Sequence, residues 1–394
     1  MKKRRSFRNI ISEREAELPE AEMGKLLKIL VERKDIISLG PGEPDFTPPK
    51  HVIAATKAAL QKGETHYSPI EGRKELHEAI IKKLKKENRI TATRENLIVT
   101  NGSTEGIMLS LMATVDPGEH VLVPDPGFIC YIPMVEILNG YPISIPLQAE
   151  EGFQIYPERI RGLIKEPKKL RAMIINSPSN PTGTVYSKRI LEGIAEVAVD
   201  NDILVITDEA YEKFVYGGSR HYSIASLNGM EDYVLSLFSF SKTHGMAGFR
   251  IGYAVGPEKI IQAMRKLHIY TTLTASTANQ LAAAAALGGS QAHIAKHVRE
   301  YNRRRKYMCK RLSEMDGFYL VEPKGAFYAF PKINFKMSSA EFSRFLINRA
   351  KVATVPGDEF GRFGKGFIRL SYATELKLIE QAMHRIEKAV RKLK

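Results

Sequence analysis

An α/β fold built on a mostly parallel sheet, with helices on both faces, is what this sequence predicts, and three observations carry that expectation. Short apolar runs recur through the middle of the chain: Leu97–Val99, His120–Val123, Ala172–Ile175, Ile203–Ile206, Val234–Phe238 and Ile251–Val255. Such runs read as strands buried on both faces. Stretches with helical spacing, such as Ser187–Val199 and Pro257–Lys266, lie between them, so strand and helix alternate as parallel crossovers require. The polar residues with chemistry cluster just past the strand ends, where open α/β sheets bind ligands. After about residue 290 the pattern changes. A long charged helical stretch, Gln291–Met315, precedes the apolar runs Ala326–Phe330 and Phe367–Tyr372. This part reads as a smaller α+β unit, with Phe327, Tyr328 and Phe330 as strand core.

Four motifs follow strands in order. Thr100-Asn101-Gly102-Ser103-Thr104-Glu105-Gly106 sits between Leu97–Val99 and the apolar helical run Ile107–Val115. Small and hydroxyl residues at a helix start bind anions through free backbone N–H groups and the helix dipole. It is not a Walker loop, because no GxxxxGK[ST] occurs in the chain. Ser177-Pro178-Ser179-Asn180-Pro181-Thr182-Gly183 follows Ala172–Ile175. Pro181 biases Asn180 toward an extended backbone, in a rigid turn that presents an amide donor. Asp208-Glu209-Ala210-Tyr211 places a carboxylate at the end of Ile203–Ile206.

The fourth motif, Ser239 to Arg250, sets Lys242 in a small-residue turn with an arginine eight positions further on. A lysine amine forms Schiff bases, and serine hydroxyls with an arginine fork hold phosphate. Together these point to a lysine-bound aldehyde carrying a phosphate, pyridoxal phosphate (PLP). Its pyridine nitrogen stays protonated against a carboxylate, for which Asp208 is placed. Tyr211 and Asn180 are then in reach of the ring oxygen. Each motif alone also reads as a capped helix or an ordinary turn. Their combination carries the cofactor.

With these residues the chain resembles the PLP-dependent aminotransferases of fold type I, in the group that includes aspartate and aromatic aminotransferases. The resemblance runs from Leu39-Gly40-Pro41-Gly42-Glu43-Pro44-Asp45 to Ile368-Arg369-Leu370-Ser371-Tyr372-Ala373. It implies a large PLP-binding domain over 47–290, with a sheet of the seven-stranded type, and a small domain made of 1–46 and 291–394. It implies Lys242 as the lysine bonded to the cofactor, Asp208 as the pyridinium partner, and Tyr211 and Asn180 as ligands of the ring oxygen. Ser239, Arg250, Ser103 and Thr104 match the phosphate cup. Phe128, in Pro126-Gly127-Phe128-Ile129-Cys130-Tyr131, matches the aromatic that stacks on the ring. Arg369 matches the arginine that grips the substrate α-carboxylate, with Gly40 as a backbone contact and Asn180 beside it. Tyr67, in Thr65-His66-Tyr67-Ser68-Pro69, matches a tyrosine that reaches the phosphate of the neighbouring subunit, so the sites of a homodimer are shared.

The implied reaction moves the amino group of an L-amino acid (aspartate, aromatic or broad range) to 2-oxoglutarate in a ping-pong sequence. Arg369 would fix which Cα bond is weakened, and Lys242 would move the Cα proton. A PLP lyase or synthase of the same fold uses the same residues and stands as the alternative. A non-enzymatic regulator of this fold would carry a DNA-binding module, for which the stretch before Gly40 is too short. In some relatives a lysine at the position of Thr104 serves a distal carboxylate, so Thr104 argues against strict aspartate specificity.

Composition narrows the setting. Lys and Arg number 59 against 44 Asp and Glu, a formal charge of +15. The basic residues are spread, with no zinc-finger, winged-helix or aromatic RNA-binding pattern, so no nucleic-acid partner is expected. There is no twenty-residue apolar run and hence no expected membrane span. Met1–Arg5 is basic but leads into polar Ser6–Ala16, so an export signal is not expected. Cys130 and Cys309 are far apart without a CxxC or Cys/His cluster. That predicts neither a bound metal nor a disulfide, in a reduced cytoplasmic setting. Gly361–Gly366 reads as a surface turn, and His244 as structural.

Overall fold

The computed structural model describes residues 22–393 together with Ser12, Glu15 and Leu18. The basic start Met1–Arg5 and most of the polar stretch after it lie outside the described residues. Strands in chain order are β1 (Ile37–Ser38), β2 (Leu97–Thr100), β3 (His120–Asp125), β4 (Tyr141–Pro146), β5 (Leu170–Asn176), β6 (Leu204–Asp208), β7 (Val234–Ser239) and β8 (Gly252–Val255). After them come β9 (Phe318–Tyr319), β10 (Tyr328–Ala329), β11 (Lys332–Ile333), β12 (Val352–Ala353), β13 (Val355–Pro356) and β14 (Ile368–Ser371).

Seven strands form the central sheet in the order β2-β8-β7-β6-β5-β3-β4. β8 runs antiparallel to both its neighbours, and the pairs from β7 to β4 are parallel. The pleat explains the continuous apolar runs. In β5, Met173 and Ile175 enter one core with Leu191, Ile194 and Val197 of helix Lys188–Asp200. Ala172 and Ile174 enter the opposite core with Ile107, Leu109, Ile261 and Met264. Both faces are dry, so alternation disappears.

Each expected strand of the sheet forms, and one more was missed. β4 reads Tyr-Pro-Ile-Ser-Ile-Pro, and two prolines argue against a strand. They are tolerated because β4 is the sheet edge, bonded among the described strands only to β3. Helix Lys188–Asp200 starts one residue later than expected because Ser187 is its cap, its Oγ accepting from the Ile190 N–H at 3.3 Å. The expected run Ala326–Phe330 is regular only at β10, which pairs with β14, itself paired with β13.

The long helix Ala292–Ser313 packs on β10 and β14 in a further core, through Tyr301, Met308 and Leu312, beside Ile37, Leu39, Phe327 and Tyr328. Asp45 accepts from Tyr301 Oη at 3.0 Å and from Arg304 Nη1 at 2.8 Å, which holds the 39–46 loop against this helix. None of the described helices is long and apolar enough to cross a membrane.

Candidate active site

The parallel strands β5, β6 and β7 end at one edge, and their last residues face one recess. β5 ends at Asn176, β6 at Asp208 and β7 at Ser239. Helix Ser103–Thr114 begins beyond β2, after Gly102 in a left-handed conformation (φ 81°). β8 runs the other way, so its start, Gly252, lies at the same edge, just after Arg250. A Cβ on Gly252 would stand 2.7 Å from the Gly102 carbonyl carbon, the Phe238 oxygen and the Ser103 nitrogen. Only glycine lets the three segments meet there.

Ser103, Thr104, Phe128, Asn176, Asn180, Asp208, Tyr211, Ser239, Lys242 and Arg250 all line this recess, as does Ser241. Arg250 Nη2 lies so close to Gly102 that a side chain there would collide with it. The guanidinium therefore rests against the opening turn of the helix, with Nη1 on the Ala247 oxygen at 3.0 Å. Cation, hydroxyls and helix N-terminus converge as an anion cradle.

Asp208 is buried, which pushes its carboxyl pKa up, against the hydrogen bond that Tyr131 donates. That bond to Oδ2 is 2.8 Å long, and the Ala210 N–H donates to Oδ1 at 3.1 Å. A carboxylate so placed favours a cationic partner. Lys242 Nζ donates to the Gly42 oxygen at 2.6 Å. Burial, and then the positive field of Arg369, lower its pKa to about 8. Tyr211 and Tyr328 share a hydrogen bond of 2.7 Å between their hydroxyls.

Arg369 completes the arrangement. Nη1 donates to Asn180 Oδ1 at 2.8 Å and Nη2 to the Gly40 oxygen at 2.6 Å. The guanidinium lies between the rings of Tyr328 (4.4 Å) and Phe360 (4.8 Å). Both acceptors are neutral, and the buried Nε has no partner. A buried cation held only by neutral oxygens is poised for an anion.

Tyr67 is not part of this recess; its side chain stands at the surface, 83% exposed. Gly361–Gly366 is a tethered turn, its Phe363 N–H bonded to buried Asp125 at 3.0 Å. Sequence reasoning assigned no role to Tyr131 or Asn176 and read Tyr328 as core. The signal for Asn176 was its place at a strand end. Tyr131 gave none, because only the fold brings it across to Asp208, 77 residues away.

The donor set fits PLP: a lysine amine of lowered pKa, a desolvated carboxylate, an anion cradle and a phenol stand in one recess. Fold and recess define a PLP-dependent transferase of fold type I. The family model for aminotransferase class I and II matches residues 34–386, and the chain belongs to that PLP-dependent family and is an aminotransferase. It is 44% identical to aspartate aminotransferase of Pyrococcus abyssi, over 95% of this chain and 96% of that protein. It is 42% identical to aromatic-amino-acid aminotransferase 2 of Thermococcus litoralis, over 98% and 99% of the two chains. The crystal structure of the aromatic aminotransferase from Pyrococcus horikoshii superposes with a TM-score of 0.88 at 43% identity, covering 93% of this chain and 99% of that one.

Proposed function

We propose that this aminotransferase takes L-amino acids over a broad range that includes aromatic ones and passes the amino group to 2-oxoglutarate. The observation that carries the reading is Arg369, a buried fork with an unpartnered Nε beside Asn180. Breadth is supported by the apolar wall that Met108, Phe128, Ile129, Ile132 and Phe360 form beside the recess, and by Thr104 in place of a cation. Relatives named for aspartate and for aromatic substrates stand at similar identity.

In this reading Arg369 binds the α-carboxylate through two N–H bonds and so fixes the direction of the Cα–H bond. Lys242, as a free amine, takes the Cα proton and returns one in the reverse half-reaction. Bound in the recess, PLP supplies the sink for the electron pair left at Cα. Asp208, held by Tyr131, balances the protonated ring nitrogen, with Tyr211 and Asn180 at the ring oxygen. Ser103, Thr104, Ser239 and Arg250 hold the phosphate, Phe128 flanks the ring, and Gly40 borders the carboxylate site. Exposed Tyr67 supports a homodimer in which it reaches the partner's phosphate. We place the domain division at 47–290 against 1–46 and 291–394, and the enzyme in a reducing cytoplasm, in keeping with two unpaired cysteines.

Single-turnover absorbance of the holoenzyme with aspartate, glutamate, alanine and phenylalanine tests this. Conversion to pyridoxamine phosphate with every donor, phenylalanine included, is the expected result. Conversion with aspartate and glutamate alone refutes the breadth. Release of ammonia with the matching unsaturated acid, fumarate from aspartate or cinnamate from phenylalanine, and no pyridoxamine phosphate would establish a lyase instead.

A further inference from the structure

Tyr328 is fully buried and touches the groups on both sides of the recess. It lies on β10 opposite Ser371 of β14, so Arg369, two residues before Ser371, is its diagonal neighbour on the same face. The Arg369 guanidinium accordingly rests on the Tyr328 ring, 4.4 Å from its centroid. At the far end of that ring the Tyr328 hydroxyl meets the Tyr211 hydroxyl at 2.7 Å. The two rings stand edge to face, 5.7 Å apart at 74°. Gly42 closes the remaining side, where a Cβ would collide with Tyr328 Oη. The carbonyl of the same glycine accepts from Lys242 Nζ at 2.6 Å.

The protons of the two phenols can be placed. Burial raises the pKa of both, so each keeps its proton at pH 7 and the bond between them uses only one. If Tyr211 donated it, the Tyr328 proton would face the Gly42 methylene. Among the described residues Tyr328 Oη has no other hydrogen-bond partner, so a buried donor would be left bare, which is costly. If Tyr328 donates, the Tyr211 proton is free to point into the recess that Tyr211 lines. An accepted bond also makes the Tyr211 O–H a stronger donor. Arg369 works in the same direction, because its positive charge acts to make the Tyr328 phenol more acidic.

We propose that Tyr328 is a positioning residue for transamination: it donates to Tyr211 and so turns the Tyr211 proton toward the ring oxygen of PLP. This rests on the placement of Tyr211 at that oxygen under the proposed function. Tyr328 reaches PLP only through Tyr211, and its ring keeps the Arg369 fork in plane beside Asn180.

The test is a pH titration of the holoenzyme's visible absorbance without substrate. That absorbance changes when the nitrogen joining Lys242 to PLP takes a proton, and a donor at the ring oxygen favours the unprotonated form. Tyr328→Phe should therefore raise the midpoint by about 0.3–1 pH unit, and Tyr211→Phe should raise it further. Added to Tyr211→Phe, Tyr328→Phe should shift nothing more, because the bond it removes has already gone. Gly42→Ala, which drives a methyl into the Tyr328 hydroxyl, replaces Tyr328→Phe if that variant fails to fold, and the Tyr211→Phe background then cancels any direct effect on Lys242. No shift in Tyr211→Phe refutes the placement of Tyr211 and the proposal with it. A shift in Tyr211→Phe with none in Tyr328→Phe, or an equal shift from Tyr328→Phe in both backgrounds, overturns the role of Tyr328 alone.

Discussion

Arg369→Lys isolates what the guanidinium fork contributes beyond its charge. In the wild type two N–H groups are committed to Asn180 and Gly40 at 2.8 and 2.6 Å, and the buried Nε is free. Lysine keeps the positive charge between the rings of Tyr328 and Phe360. Its single ammonium cannot hold both oxygens and meet a carboxylate with two parallel bonds. One charge-assisted bond is worth about 1.5–3 kcal/mol, and an acceptor left bare adds about 1 kcal/mol or more. The sum, about 2.5–4 kcal/mol, corresponds to a fall in kcat/KM of roughly 70- to 1,000-fold. The assay compares single-turnover rates for phenylalanine with those for phenethylamine, the same amine without its carboxylate. The loss should appear with phenylalanine and largely vanish with the amine. An equal loss with both would mean that Arg369 supports the recess rather than binding the carboxylate, and the assignment would fail.

Lys242→Ala should abolish turnover and the cofactor's lysine-linked absorbance, and a variant that still transaminates normally would remove Lys242 from the mechanism. In the apoenzyme the rate at which Lys242 captures added PLP should rise with pH around 8, where its amine loses its proton, as stopped-flow absorbance will show; a midpoint near the ordinary lysine value would refute the field described for the recess. Glu105 receives bonds from the Asn101 N–H at 2.6 Å and Thr272 at 2.5 Å, with His268 at 3.4 Å. Burial alone would raise its pKa, but these bonds prevail and lower it to about 2. A depressed carboxyl stabilises the fold above its unfolded pKa and loses that contribution as pH falls toward 2. The shift is worth about 3 kcal/mol, so denaturant midpoints of wild type and Glu105→Gln should differ at pH 7 and converge near pH 2.

The sheet was legible because its strands are continuous apolar runs, regularly spaced by helices. β4 was not, since its prolines are permitted only at an edge and edge position is a property of the assembled sheet. The recess was legible where chemistry sits in short motifs at strand ends, as with Lys242, Asp208 and Asn180. Tyr131 and Tyr328 escaped because each is an aromatic in an apolar run, and only its hydroxyl, bonded to Asp208 or Tyr211 across the fold, sets it apart.

The two halves of the recess are coupled through charge. After burial, the field of Arg369 is the largest influence holding the Lys242 amine below its ordinary pKa. A substrate carboxylate on Arg369 cancels much of that field, so the amine becomes more basic when an amino acid is seated. Asn180 joins the same events, because it bonds Arg369 and lines the cofactor recess. Tyr328 does so as well, lying against Arg369 while its hydroxyl holds Tyr211. Recognition of the carboxylate thus strengthens the proposed base at the moment it is needed. A bound amine lacking the carboxylate should leave Lys242 the weaker base even when it is otherwise well placed.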